Sequence, residues 1–404
     1  MSPGAERSEL MNWTTKTARR ARTSTRGLLA VAGIVAGSLT LSACEEGVVD
    51  WERADQTDAE YIFTQANGAS VGTQHELVAE AYMDAVEEAS DGRIAFERTP
   101  FQAICDMADV ADCIRDGRAD FGLTVTDYTP HLLPTTSVLS ISFKTDDIQA
   151  ATQALYELHR EYEPAKEVME KANLEHVSTW PVGALLIGAK TPIDGFEDLD
   201  GLQARAAGPV TQRSLEDAGM NVSAITAGET YEALQRGVID SVASSLDFGV
   251  NFAITEQLPY WVDPGFDQYT AYGMWWNKDS YESLPEDLQA TVDDVTKEFN
   301  EGKTIDVANG ELENICDEML DSPDVEDFDT WSDEETQKWK DIAAEGAEET
   351  WLDVMDSLDF ENAEEYLRVY NEKYESLKSP ENPDDAGIAC AQRWQERHGD
   401  AANK

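Results

Sequence analysis

Positive charge is what this 404-residue chain lacks most: 30 Lys plus Arg stand against 81 Asp plus Glu, with five His, for a net charge of -51. A surface of that sign has no field with which to gather phosphates, so nucleic acid and anionic membrane surfaces are excluded as partners. The five Cys show no Cys-x-x-Cys spacing, which argues against a four-Cys metal site. Also missing are a His-Glu-x-x-His helix, a Walker A loop, an Asp-rich calcium loop and a dinucleotide fingerprint. No metal and no cofactor is therefore expected. Apolar material is not lacking: the chain is 41% hydrophobic, with ten Trp, thirteen Tyr and twelve Phe, so it can bury a real core despite its charge. Its length suggests two domains on a prior of roughly 150 residues each. Acidity this extreme with few lysines reads as adaptation to a salty exterior, where counter-ions screen the self-repulsion.

The N-terminus is a targeting segment rather than part of the fold. Lys16, Arg19, Arg20, Arg22 and Arg26 precede an apolar run from Leu28 to Ala43, the pattern of an export signal. The run ends in Leu41-Ser42-Ala43-Cys44, which resembles a bacterial lipobox, whose cysteine takes a lipid and becomes the first mature residue. The alternatives are an ordinary signal peptide with a chance Cys and a single transmembrane anchor, for which the run is short. Arg19-Arg20 lacks the rest of a twin-arginine motif, so the general export route is expected, and translation can start at Met1 or Met11. Residues 1–43 carry six basic and two acidic residues, so the mature chain opposes 24 basic to 79 acidic residues and is the more acidic part.

With Cys44 assigned to lipid, the other four cysteines can form two disulfides in an oxidising compartment. Cys105 and Cys113 are eight apart, about 12 Å along a continuous helix and too far to bridge. If they pair, the helix begins between them, with Cys105 in the loop after Pro100. Cys316 and Cys390 would then close a long loop.

Residues 44–58 read as an acidic tether. Beyond it, Tyr61-Ile62-Phe63-Thr64 reads as a strand and residues 73–90 as a helix with Val78, Tyr82, Ala85, Val86 and Ala89 on its buried stripe. Ile94 and Phe96 mark a second strand, a helix runs to about Asp116, and Phe121, Leu123 and Val125 mark a third. That is the start of an open α/β sheet. A long amphipathic helix is expected over 146–172, then a strand near Val177 to Trp180 and another at Leu185-Leu186-Ile187-Gly188. Beyond Trp276 the chain turns helical, and the aromatics of residues 333–378, at helical spacing, suggest a coat on a sheet. Residues 379–385 form a Pro-rich terminal loop. An adhesion module would instead show repeated sandwich strands.

An internal repeat is the most informative pattern. Ile114-Arg115-Asp116-Gly117-Arg118-Ala119-Asp120 and Leu234-Gln235-Arg236-Gly237-Val238-Ile239-Asp240 both read as a helix end, a Gly cap and a strand start. In the same register Thr124-Val125-Thr126-Asp127-Tyr128 aligns with Ser244-Ser245-Leu246-Asp247-Phe248, so each copy leaves its strand through a hydroxyl, an Asp and an aromatic. Ligands of α/β sheets sit at the carboxyl ends of strands, and two such lobes facing each other would present these groups to one cleft. The competing motif is Gly68-Ala69-Ser70-Val71-Gly72, which matches a nucleophile elbow with Ser70 as nucleophile. It follows the first mature strand, which leaves no earlier sheet to build an oxyanion loop, and no Asp and His partners are recognisable. A Gly-rich turn bringing backbone amides near a ligand accounts for it better than a secreted serine hydrolase.

Gly201-Leu202-Gln203-Ala204-Arg205, the run from Gly228-Glu229-Thr230-Tyr231 to Gly237-Val238-Ile239-Asp240, and Trp276-Asn277-Lys278-Asp279 followed by Leu284-Pro285 resemble, in order and spacing, the solute receptors of TRAP transporters. These are the tripartite ATP-independent periplasmic systems, in the dicarboxylate-receptor family, and the likeness runs from about Tyr61 to at least Phe299. The resemblance implies a two-lobed periplasmic-binding-protein-like α/β fold with crossing strands, a spanning helix and a helical C-terminal region. It places lobe 1 first at 59–180, lobe 2 at 181–267, a return to lobe 1 with the spanning helix at 268–310, and a C-terminal region at 311–404 packing on lobe 2. It implies a monomeric, non-enzymatic receptor outside the cell membrane, held through Cys44, that passes an organic acid to a small and a large membrane subunit. A receptor serving an ATP-driven importer is the alternative.

By the same resemblance Arg205 matches the arginine that pairs with the ligand carboxylate, a role suited to a planar fork of donors that keeps its charge. Thr124, Thr126, Ser244, Asp247 and Asn67 are the candidate polar groups of the cleft, and Tyr128, Trp180, Phe248 and Trp275 its candidate walls. Departures from the family pattern shape the ligand: Ala206-Ala207-Gly208-Pro209 replaces the usual Arg-Val-Pro continuation, Ser244 stands where an asparagine is common, Ala227 replaces an aromatic, and the second arginine of receptors for acidic sugars maps near Leu185, where this chain has none. They imply a monocarboxylate or mixed ligand with apolar bulk.

Overall fold

The computed structural model describes residues 58–402, and the export signal, Cys44 and all but the last residue of the expected tether lie outside them. The described chain opens with Tyr61–Asn67 (β1), then Gln74–Ala89 (α1) and Ile94–Glu97 (β2). A Thr73-x-x-Glu76 box starts α1: Thr73 Oγ1 accepts from the Glu76 amide at 3.2 Å, and the Glu76 carboxylate reaches back to the Gly72 amide. Val78, Tyr82 and Val86 are buried on its inner face as the 3.6 period demands. Ala79 and Met83 complete the stripe, while Ala85 is half-buried and Ala89 exposed.

Val110–Arg115 (α2) and Phe121–Val125 (β3) follow. Cys105 does lie ahead of α2 and bonds to Cys113 within it, their Cα atoms 6.6 Å apart. The helix expected over 146–172 is two, Ile148–Glu161 (α3) and Glu163–Lys171 (α4), because Pro164 supplies no amide to continue the ladder and instead sits in the first turn of a new helix. Leu174–Pro181 (β4) and Leu186–Ala189 (β5) then carry the chain from one sheet into the other.

The second lobe is built from Gln203–Ala206 (β6), Pro209–Asp217 (α5), Asn221–Ala224 (β7), Ala227–Gln235 (α6), Ser241–Ser244 (β8), Leu246–Asn251 (α7) and Tyr260–Asp263 (β9). Ala271–Asn277 (β10) returns to the first sheet, and Lys278–Glu282 (α8) and Glu286–Glu298 (α9) cover it. One sheet has the order β2-β1-β3-β10-β4, with β10 antiparallel to both neighbours. The other, completed by Asp327–Thr330 (β11), has the order β11-β9-β5-β8-β6-β7. The β4–β5 and β9–β10 segments are thus crossing strands, bridged between the sheets by Ala184 and Gln268.

A long helical run touches both lobes. After α9 the backbone loosens through a π-turn at 299–303, where Gly302 has φ 155°, and continues as Thr304–Asp321 (α10), which packs on α1 of the first lobe and α7 of the second. Asn300 fixes the loosened turn: its amide donates to Val177 O at 2.8 Å on β4 and accepts from Ser178 Oγ at 2.9 Å.

Behind these lie Asp333–Ala343 (α11), Ala347–Ser357 (α12), Ala363–Leu377 (α13) and Ala389–Ala402 (α14). The expectation that the C-terminal region packs on the second lobe needs correcting for one helix: α14 lies on β11 and α10, and α11 and α12 lean on α5, but α13 lies on α3 in the first lobe. The cause is an aromatic face, Tyr366, Tyr370 and Tyr374, all buried against Leu155, Leu158 and Ala154 of α3. Cys316–Cys390 ties α14 back to α10.

Candidate functional site

The repeated unit puts chemically matched groups at the carboxyl ends of β3 and β8. In both copies a glycine after the helix, Gly117 and Gly237, adopts φ 68°, and an aspartate follows whose carboxylate and amide clasp the neighbouring strand. Asp120 accepts from the Thr64 amide at 2.8 Å and Asp240 from that of Gln203 at 2.9 Å. Each clasp fixes where its strand begins against the neighbouring one. The residues that follow, Asp127-Tyr128 in the first lobe and Asp247-Phe248 in the second, are turned toward the junction between the lobes.

Arg205, the third residue of β6, lies where they meet and is 1% exposed. Its Nε donates to Ile225 O at 2.7 Å, Nη1 to Tyr269 Oη at 3.1 Å and Nη2 to Tyr128 Oη at 2.9 Å. The Phe248 ring stands 4.8 Å from Cζ, in cation–π contact. Every partner is neutral: among the described residues no carboxylate comes within ion-pair distance of it. A guanidinium has five N–H groups, so one on each terminal nitrogen remains for a ligand. Tyr128 and Phe248, equivalent in the repeat, thus reach one cation from opposite lobes.

A second group surrounds His75 at the start of α1. Its ring stacks on Tyr272 with centroids 4.0 Å apart, and Nδ1 accepts the Trp180 indole N–H at 3.2 Å. That bond leaves the proton of the neutral ring on Nε2, which faces Asp247 Oδ2 at 3.6 Å. Burial by itself would push the Asp247 carboxyl up, but His75, Ser245 and Gln74 together hold it below its ordinary value. Asp127 goes the other way. Burial raises its pKa more than the hydroxyls of Ser140 and Thr270, at 2.6 and 2.7 Å from Oδ2, lower it. Its Oδ1 has no partner among the described residues.

The other candidates divide. Thr126 is buried with its hydroxyl unpartnered, and Ser244 is buried at the end of β8. Thr124 is committed to Met107 O at 2.6 Å, and Asn67 Oδ1 closes a turn onto the Ala69 amide at 2.9 Å. Trp180 stands behind His75. Trp275 is a correction to the expected walls: it packs with Ile114, Leu133, Met169 and Leu174 beside the first disulfide, on the face of β10 opposite Tyr272 and Met274. Strand alternation decides this, because residues an odd number of positions apart point to opposite faces. Ser70 caps no catalytic pair; its carbonyl accepts from the Thr73 amide and hydroxyl in the turn before α1.

Beside Arg205 lies a cavity of about 420 Å³ with mainly apolar walls. Ala206 and Ala207 at the end of β6, Ala224 and Ile225 at the end of β7, and Tyr128 form one side, and Val354 and Leu358 of the C-terminal region the other. Reasoning from sequence missed Tyr269, the Ile225 carbonyl, His75, and Val354 and Leu358 at the end of α12. Only proximity in the fold marks them, since none stands in a motif.

Residues 66–352 match the bacterial extracellular solute-binding proteins, family 7. The chain is 24% identical over 293 residues to the ectoine-binding periplasmic protein TeaA of Halomonas elongata, covering 70% of this chain and 82% of that protein. It is 24% identical over 272 residues to the ectoine/5-hydroxyectoine-binding periplasmic protein UehA of Ruegeria pomeroyi, covering 67% and 75%. Among solved structures, a TRAP solute-binding protein of Rhodoferax ferrireducens in complex with copurified benzoate aligns with a TM-score of 0.68 at 20% identity, over 78% of this chain and 98% of its own. One from Bordetella bronchiseptica with bound mandelate aligns with a TM-score of 0.67 at 18% identity, over 78% and 99%. These structures share the two-lobed fold.

Proposed function

Since the chain belongs to bacterial extracellular solute-binding protein family 7, we propose that it captures a monocarboxylate between its lobes, with Arg205 as the anion clamp. The chain is an extracytoplasmic solute receptor of the TRAP type. The observation that carries the ligand class is Arg205 itself. A buried cation normally has an acidic partner, because taking a charge out of water costs several kcal/mol. In a chain with 81 acidic residues this guanidinium has none beside it among the described ones, and two of its N–H groups are uncommitted there. A ligand carboxylate would supply the missing charge through two parallel bonds.

The neighbouring cavity supports an apolar body on that ligand, and Phe248 and Tyr128 supply aromatic faces. Relatives and structural neighbours named for ectoine, benzoate and mandelate fit this chemistry, each compound combining one carboxylate with one compact ring. Asp127, Asp247 and Thr126 would take the ligand's donors, and Ser244 a further polar contact. A thermal-shift screen over these acids and their amides tests the reading: acids that raise the melting temperature while their amides do not are the expected result. Equal shifts from both would discard the clamp.

Anchoring through a lipid on Cys44 belongs to the same proposal, supported by the Leu41-Ser42-Ala43-Cys44 run. Incorporation of a labelled fatty acid into wild type and not into Cys44→Ser is the expected outcome. Among the described residues no helix is long and apolar enough to cross a membrane.

A further inference from the structure

We propose that the Tyr128 hydroxyl is a stand-in for a ligand carboxylate oxygen, and that the ligand binds by displacing it. The inference rests on the reading of Arg205 as the clamp. Two donors of the second lobe converge on Tyr128 Oη: Arg205 Nη2 at 2.9 Å and the Ala227 amide at 3.0 Å. Ala227 opens the nine-residue helix α6, so its N–H adds the positive end of a helix to the guanidinium. A pair of donors with that much positive character is better matched by an anionic oxygen than by a neutral phenol. The phenol comes from the first lobe, so its bond to Arg205 joins the two lobes at the anion site.

Tyr269 holds the other terminal nitrogen but is not the displaceable partner. It is 2% exposed and its oxygen also accepts the Ala207 amide, so it belongs to the frame. Tyr128 is half-buried and lines the 420 Å³ cavity, which gives its ring somewhere to go and the ligand a way in. One carboxylate oxygen then takes the place of the phenol oxygen, and the other takes a remaining guanidinium N–H. Such an internal competitor lowers apparent affinity by the fraction of molecules in which the site is free.

Tyr128→Phe removes the competing oxygen and keeps the ring. Calorimetric titration with benzoate, mandelate and ectoine should show roughly tenfold tighter binding than wild type. The empty variant should melt lower, and its ligand-induced shift should be larger. Weaker or unchanged affinity in a folded variant overturns the inference, because the hydroxyl would then be a ligand contact or a bystander. Should the variant fail to fold, ring-labelled tyrosine spectra of the wild type decide: the Tyr128 signal must move on addition of a bound acid, and a stationary signal refutes displacement. Binding of no acid to either protein removes the clamp itself and this inference with it; binding to both without the predicted gain removes this inference alone.

Discussion

Replacing Arg205 with methionine should weaken ligand binding at least about 30-fold and leave the ligand-free protein nearly as stable as before. In the wild type the guanidinium makes three hydrogen bonds, to Ile225 O, Tyr269 Oη and Tyr128 Oη. Bonds from a charged donor are worth about 1.5–3 kcal/mol each. Against that stands the loss of hydration of a cation that is 1% exposed and has no acidic partner among the described residues, several kcal/mol in real proteins. The two nearly offset. The losses in the variant are also small, because Tyr128 Oη keeps the Ala227 amide and Tyr269 Oη keeps the Ala207 amide; only Ile225 O is orphaned. Methionine fills the space and offers its sulfur to the Phe248 ring. A net change within about 2 kcal/mol, and hence a melting shift of no more than about 5 °C, is expected for a chain of this size. Binding behaves differently, since removing one member of a desolvated charge pair costs about 2–5 kcal/mol, roughly 30-fold to several thousand-fold in affinity. Scanning calorimetry with and without a saturating acid reads both quantities together. A variant that melts more than about 10 °C lower yet keeps its full ligand shift would show that Arg205 is structural and that the anion binds elsewhere.

Other outcomes follow from the surface, the lobe contact and the buried histidines. Affinity for an anionic ligand should rise with salt, because the mature charge repels it over a screening length of about 30 Å at 0.01 M and about 3 Å at 1 M, while the enclosed Arg205 contact is screened less; titrations across that range on protein shown to be folded check it, and a steady fall refutes it. Gly208 has φ 67° and a β-carbon there would stand 2.5 Å from Asp127 Cβ, across the lobe contact, so Gly208→Val should weaken ligand affinity at least tenfold by holding the lobes apart; unchanged affinity by calorimetry speaks against it. His159 and His176 stack 4.4 Å apart in the core, and burial pulls His159 down to about 4 and His176 well below 6.5. Both are neutral in the fold and protonate in the unfolded chain below pH 6.5, so stability should be lost as pH falls from 6.5 toward 4, by about 3 kcal/mol for His159 alone. Glu80 and Asp267, pushed up by burial to about 7 and about 6, act with the opposite sign, gaining stability over part of the same range. The comparison that isolates the pair is therefore urea unfolding of wild type and His159→Gln/His176→Gln at pH 7 and pH 5, and equal pH slopes for the two proteins would disprove the account.

Much of the frame was legible because its signals are local. Gly117 and Gly237 end helices where only a left-handed residue fits, and the aspartates after them clasp a neighbouring strand, so a sequence repeat became a structural one. Alternating apolar residues gave away β3, and the 3.6 period gave away α1. Pro164 was equally local and still escaped, since a proline permitted in a helix's first turn looks from outside like one interrupting a longer helix. The face on which Trp275 lies was not legible, because β10 is buried throughout and alternation says nothing when both faces are covered.

What the sequence determined by itself was the export pattern, the acidity, the α/β alternation and the presence of Arg205 at the end of a strand. Each depends on neighbours within a few residues or on composition alone. What only the tertiary structure decided was the company Arg205 keeps: Tyr128 from 77 positions upstream, Tyr269 from 64 downstream, and the carbonyl of Ile225. That no described carboxylate reaches the cation follows from which distant segments fold against β6, and a chain with acidic residues everywhere carries no local mark of such a place.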